Sequence, residues 1–148
     1  MITRTELRRI PRLHRQIVKD KEQLSYLKEK ATAISSALGI DSEKVQKTPS
    51  NIAGKYIEAT VDLNKEIAAK ELELLTLQDK AEKFIKLIPD GLTHRIFKLR
   101  YLKCCSWKEV ADITGYDIRH TQRLEKFYIN QLDIQKCHTM SYYFACIV

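Results

Sequence analysis

From Ile10 to Leu38 apolar side chains recur at heptad spacing. One seam position holds Ile10, Ile17, Leu24, Ala31 and Leu38, and the other holds Leu13, Asp20, Leu27 and Ile34. A second seam runs through Tyr56, Thr60, Leu63, Ile67, Lys70, Leu74, Leu77, Ala81, Phe84 and Ile88, alternating steps of four and three without a break. Side chains at that spacing form a stripe along an α-helix, and the stripe must be covered by a partner. A β-strand would instead alternate apolar and polar residues with a period of two. With 4 Gly, 3 Pro and 30% charged residues, the chain is too poor in turn formers for an all-β fold. The expected fold class is therefore all-α.

Gly39 suits a helix C-cap, because glycine tolerates the left-handed conformation found there. "GIDSEKVQKTPSN" then reads as a connecting loop over residues 39–51, with Ser50 or Asn51 able to cap the next helix. "IPDG" at 88–91 stops that second helix. If the chain doubles back at the loop, the seams pair antiparallel: Leu27 faces Leu63, Leu24 faces Ile67, Ile17 faces Leu74 and Leu13 faces Leu77. The same rule sets the charged interruption of one seam, Asp20, opposite that of the other, Lys70. A single polar pair in an apolar seam fixes register, which is the role expected for Asp20 and Lys70. Residues 1–88 are thus expected to form a long antiparallel hairpin, a coiled coil. A flanking stripe on the second helix (Ala53, Ile57, Val61, Ala68, Leu72 and Leu75) exceeds what one partner helix can cover, so a homodimer, or docking of the stripe against the C-terminal unit, is expected.

The formal net charge of +7 and a pI near 9.2 favour an anionic partner, and five arginines (Arg4, Arg8, Arg9, Arg12, Arg15) cluster near the start. No apolar run approaches membrane-spanning length, and "MITRTELRRIPRLHRQ" lacks the apolar core of a signal peptide. Cys104, Cys105, Cys137 and Cys146 include no C-x-x-C pair, which points to a reduced, cytoplasmic setting. A zinc site from Cys104, Cys137 and His138 matches no standard spacing, so no metal and no cofactor are expected. Phosphate-binding, zinc-protease and nucleophile-elbow motifs do not occur, and His14, His94, His120 and His138 stand isolated. The chain is not expected to be an enzyme or to take a small-molecule substrate.

The chemistry-bearing stretch is residues 90–134. "LTHRIFKLRYL" places Leu92, Ile96, Leu99 and Leu102 on one helical face, with Arg95, Lys98 and Arg100 off it. Ser106 followed by Glu109 forms a capping box that opens a second helix, whose buried side is expected to hold Trp107, Val110, Ala111 and Ile113. Small Ala111 and Gly115 suit a tight turn between closely crossing helices, and Asp117 can cap a third helix. That helix should bury Thr121, Leu124, Tyr128 and Leu132, leaving Arg119, Gln122, Arg123 and Lys126 outward. Long donors on an outward face can reach base edges and phosphates in the major groove.

"RIFKLRYL…SWKEVADITGYDIRHTQRLEKF" resembles the fourth domain of bacterial sigma factors, their region-four helix-turn-helix. It is still more similar to the small phage-encoded transcriptional regulators of the RinA/ArpU type, in which a helical hairpin precedes a sigma-like helix-turn-helix. The resemblance implies base reading by Arg119, Gln122, Arg123 and Lys126, with Lys108 and His120 nearer the phosphates. Arg95, Lys98 and Arg100 join them as expected phosphate contacts. Ile118, His120 and Thr121 depart from the sigma pattern, and nothing resembles the domain that melts promoters. The resemblance implies a phage or prophage regulator that binds double-stranded DNA near promoters and contacts RNA polymerase. Two other expectations stand beside it: a DNA-packaging recognition protein like a terminase small subunit, and a coiled-coil interaction module without DNA binding. Residues 135–148, ending in "SYYFACIV", read as a strand-like, irregular or disordered tail of unassigned role.

Overall fold

A computed structural model describes residues 2–38 and 49–145, with backbone alone for residues 38, 49–51, 53 and 132–145. Within these it is all-helical: α1 (Arg4–Leu38), α2 (Pro49–Ile85), α3 (Gly91–Phe97) running into a π-helical turn (Lys98–Leu102), α4 (Trp107–Thr114) and α5 (Ile118–Ala145). No strand occurs among the described residues. The connection at 39–48, including Gly39, lies outside them, as do the side chains of Ser50, Asn51, Leu132, Cys137 and His138.

The chain divides into two compact units, residues 13–73 and residues 1–12 with 74–148. In the first, the seam residues Leu13, Ile17 and Ile67 are buried, and Leu24, Leu27 and Leu63 half-buried. Lys70 Nζ donates to Asp20 Oδ2 at 2.6 Å, so the two charges that interrupt the seams meet each other. The carboxylate holds the Lys70 ammonium pKa above its ordinary value, chiefly through that hydrogen bond. Lys21 and Glu71 form a second pair at 2.6 Å. Reversing one charge, as Asp20→Lys, is expected to lower the melting temperature, and Asp20→Lys with Lys70→Asp to restore most of it. Equal melting temperatures for the single and double variants, followed by circular dichroism, would remove the pair's role in register.

In the second unit, α1 begins earlier than the seam suggests. Thr3 and Glu6 build a capping box: the Thr3 hydroxyl accepts from the Glu6 N–H at 3.2 Å, and the Glu6 carboxylate accepts from the Thr3 N–H at 2.7 Å. Glu6 also accepts from Lys80 at 2.9 Å. These bonds, the Lys80 one foremost, hold the Glu6 carboxyl down at about 2. Ile2, Leu7 and Ile10 are thereby buried, and the unit also buries Leu77, Ala81, Ile85 and Ile88. Helix α2 ends at Ile85, and Ile88 follows as a buried turn residue whose N–H bonds to the Ile85 carbonyl at 3.0 Å.

Phe97 is the hub of this unit. Its ring lies 5.9 Å from Phe84, 5.4 Å from Tyr101 and 6.4 Å from Tyr128. Tyr101, also buried, donates its hydroxyl to Glu125, and burial drives its pKa far above the ordinary phenol value. Gln78 on α2 donates to the carbonyls of Tyr101 and Leu102, at 3.3 and 3.0 Å, where the π-turn ends and Cys104 turns into the left-handed region at φ 55°. By its contacts this compact unit takes in the end of α2 and the first twelve residues as well as the stretch from residue 90 that was expected to form a domain.

Helix α5 corrects a second boundary. It was expected to give way to a tail after residue 134, yet its backbone stays helical to Ala145. After Gly115 the sequence contains no glycine or proline, so nothing in the backbone chemistry stops it. No described helix is long and apolar enough to cross a membrane.

Candidate nucleic-acid interface

The interface is built outward from a small core in which Ile96, Leu99 and Val110 are buried and Leu92, Cys105, Trp107 and Leu124 pack against them. Three caps fix the helices that meet there. Asp90 opens α3 by accepting the Thr93 N–H at 2.9 Å, and the bonds from Thr93 hold its carboxyl below the usual range. Ser106 and Glu109 form the expected capping box on α4: the Ser106 N–H donates to the Glu109 carboxylate at 2.6 Å, and the Glu109 N–H to the Ser106 hydroxyl at 3.3 Å. Those bonds lower the Glu109 pKa.

Gly115 ends α4 at φ 73°, with its N–H on the Ala111 carbonyl at 2.9 Å. No side chain would be strained for space there, but the left-handed backbone itself disfavours any residue with a Cβ. Three residues later α5 starts at Ile118, the Thr121 N–H reaching the Asp117 carbonyl at 3.1 Å. Thr121 is fully buried and satisfies its hydroxyl on the Ile118 carbonyl at 2.8 Å. A buried threonine held in this way orients the first turn of α5 against the core.

On α5, Arg119, Gln122, Arg123 and Lys126 are all exposed. At 3.6 residues per turn, their spacings of one, three and four place them on one contiguous outer face. The inner side holds Thr121, Leu124 and Tyr128, and also Ile129, which is buried though the sequence pattern did not single it out. The one carboxylate on this stretch of α5, Glu125, is taken up by the Tyr101 hydroxyl. The outer face thus presents cations and an amide.

The expected phosphate contacts divide. Lys98 and Lys108 are exposed. Arg95 is exposed and reaches the Ile113 carbonyl at the end of α4, at 3.4 Å. His120 is exposed and stacks on Tyr116, centroids 5.3 Å apart. Arg100 departs from the expectation. Half-buried, it donates to the Cys105 carbonyl at 2.7 Å and lies 4.8 Å over the Trp107 ring, so its guanidinium braces the α3–α4 junction. Ile113, expected on the buried side of α4, is 46% exposed instead, because Val110 and Ala111 already fill the contact with the core.

Exposed apolar side chains at the α4–α5 turn (Ile113, Tyr116 and Ile118) were not among the expected site residues. Their signal in the sequence was faint, since lone surface apolar residues are ordinary. Among the described residues no cluster of His, Cys, Asp and Glu is placed to hold a metal ion. No family model, curated protein or solved structure matches this chain.

Proposed function

We propose that the chain is a sequence-reading DNA-binding regulator of transcription, of phage or prophage type, in which an antiparallel helical hairpin carries a sigma-like helix-turn-helix. The observation that carries this reading is the α4–turn–α5 arrangement. A capped α4, a left-handed Gly115 and a buried Thr121 set α5 so that Arg119, Gln122, Arg123 and Lys126 share its exposed face. A recognition helix needs such a face, because guanine and adenine offer bidentate acceptor and donor edges that arginine and glutamine match. Arg95, Lys98 and Lys108 neutralise phosphates around it and His120 lies near them as a hydrogen-bonding contact, while Arg100 serves the fold. The meeting of Asp20 with Lys70 supports the antiparallel register of the hairpin.

Ile57 and Val61 on α2 are 53% and 47% exposed and support a homodimer joined through the hairpin. A dimer would present two recognition helices to one DNA site. Val61→Glu is expected to shift the mass in solution from dimer to monomer, measured by light scattering with size exclusion. A wild-type monomer at micromolar concentration would sink the dimer.

Fluorescence anisotropy on duplexes from the DNA around its own gene, against scrambled duplexes and across a salt series, tests the DNA reading. Tight binding to one segment with a steep salt slope is expected. Uniform weak binding would turn the reading to a protein-interaction module, with RNA polymerase the first partner to try.

A further inference from the structure

From the exposed apolar tip of α5 we infer that Ile118 reads a thymine methyl group in the major groove, making at least one thymine part of the preferred site. The inference rests on the DNA reading above and names a feature of the base sequence it takes.

Ile118 is the first residue of α5 and is 37% exposed, immediately beside the exposed Arg119. It stands four residues before Gln122, so the two share a line along the helix. Round the helix the order is Ile118, Gln122, Lys126, Arg119, Arg123, so Ile118 stands at the border where the inner side of Thr121 and Ile129 meets the cationic and amide face. The N-terminal residues of a recognition helix are those that reach base edges. Among the groups on the major-groove edge, the thymine C5 methyl is the apolar one, so an isoleucine there finds a match that no phosphate and no other base edge offers. Charge complementarity selects the occupant: an apolar protein partner gains nothing from the adjoining Arg119, Arg123 and Lys126, whereas the polyanionic groove needs them. The exposed Tyr116 stacks on His120 and the exposed Ile113 belongs to α4, so Ile118 is the exposed apolar side chain on the first turn of α5 itself.

Uracil lacks only the C5 methyl of thymine and pairs identically, so it isolates this contact. The first step is selection of a preferred duplex from a random pool by the full-length protein. Each thymine of that duplex is then replaced in turn by uracil, and affinities of wild type and Ile118→Ala are measured. One replacement is expected to weaken wild type about fourfold, the value of one buried methyl group. The Ile118→Ala protein should bind thymine and uracil duplexes alike at that position. Circular dichroism checks that this surface variant is folded. A wild type indifferent to every replacement, or an Ile118→Ala protein still as sensitive as wild type, overturns the inference while leaving sequence-selective binding intact. Failure to select any duplex overturns the DNA reading, and this inference with it.

Discussion

Phe97→Ala is expected to destabilise the compact unit that includes α3, α4 and α5 by about 3–5 kcal/mol, the usual cost of deleting a fully buried aromatic ring. The ring is 0% exposed and touches three others, Phe84, Tyr101 and Tyr128, from α2, the π-turn and α5. Collapse into the space would require these elements to move together, and each is held by a separate polar tie. Gln78 fixes the π-turn to α2, and the Tyr101 hydroxyl fixes it to Glu125 on α5. The cavity should therefore stay open, which places the loss toward the upper end of the range. Domains of this size are stable by only about 5–15 kcal/mol, so a large share of the total is at stake. The single tryptophan, Trp107, packs against the Ile96–Leu99–Val110 cluster and reports on this unit in a urea titration. Leu87→Ala is the control: at 72% exposure it should change stability by no more than about 0.5 kcal/mol. A loss below about 1 kcal/mol for Phe97→Ala would mean that the aromatic hub is not what holds these helices.

Much of this could be seen in the residues before any coordinates. Heptad spacing is a local, repeated signal, and it located α1, α2 and the meeting of Asp20 with Lys70. Caps are equally local: Ser106 with Glu109 marked the start of α4, and Ala111 with Gly115 marked its end. The same logic applied to Thr3 and Glu6 would have found the start of α1, but the apolar pattern that drew attention began only at Ile10. What the pattern could not show were contacts between residues far apart in the chain. Nothing local announces that Gln78 serves the carbonyls of the π-turn, or that Phe84 and Phe97 share one core. Those contacts join the end of α2 to α3, the π-turn and α5 in one compact unit. Arg100 shows the same limit at the site. Its charge suited a phosphate, and only its place over Trp107, seven residues on, assigns it to the fold. For α5, the absence of any stop signal outweighed an aromatic, irregular tail composition.

Arg123→Ala should cost about 1–3 kcal/mol at the preferred duplex and far less on scrambled DNA, so that its main effect is to narrow the gap between the two. Arg123 lies one helical turn beyond Arg119, on the face away from Thr121, with its guanidinium free to meet a guanine edge in a two-bond fork. Losing that fork leaves a base edge desolvated without a partner, a penalty paid only where the correct base stands. Lys108 should behave differently. It is exposed on the first turn of α4, outside the α5 face proposed to enter the groove, and an ammonium there would meet phosphates whatever the sequence. Lys108→Ala is expected to weaken every duplex to a similar degree and to reduce the slope of log affinity against log salt by about 1. Because neither side chain contributes to the core, both variants should melt with the wild type, which separates lost contacts from lost folding. Anisotropy of the two proteins on preferred and scrambled duplexes, across the same salt series, reads both effects at once. Equal losses on all sequences for both would show that α5 neutralises charge without reading bases, and the helix-turn-helix would then be a non-specific DNA clamp.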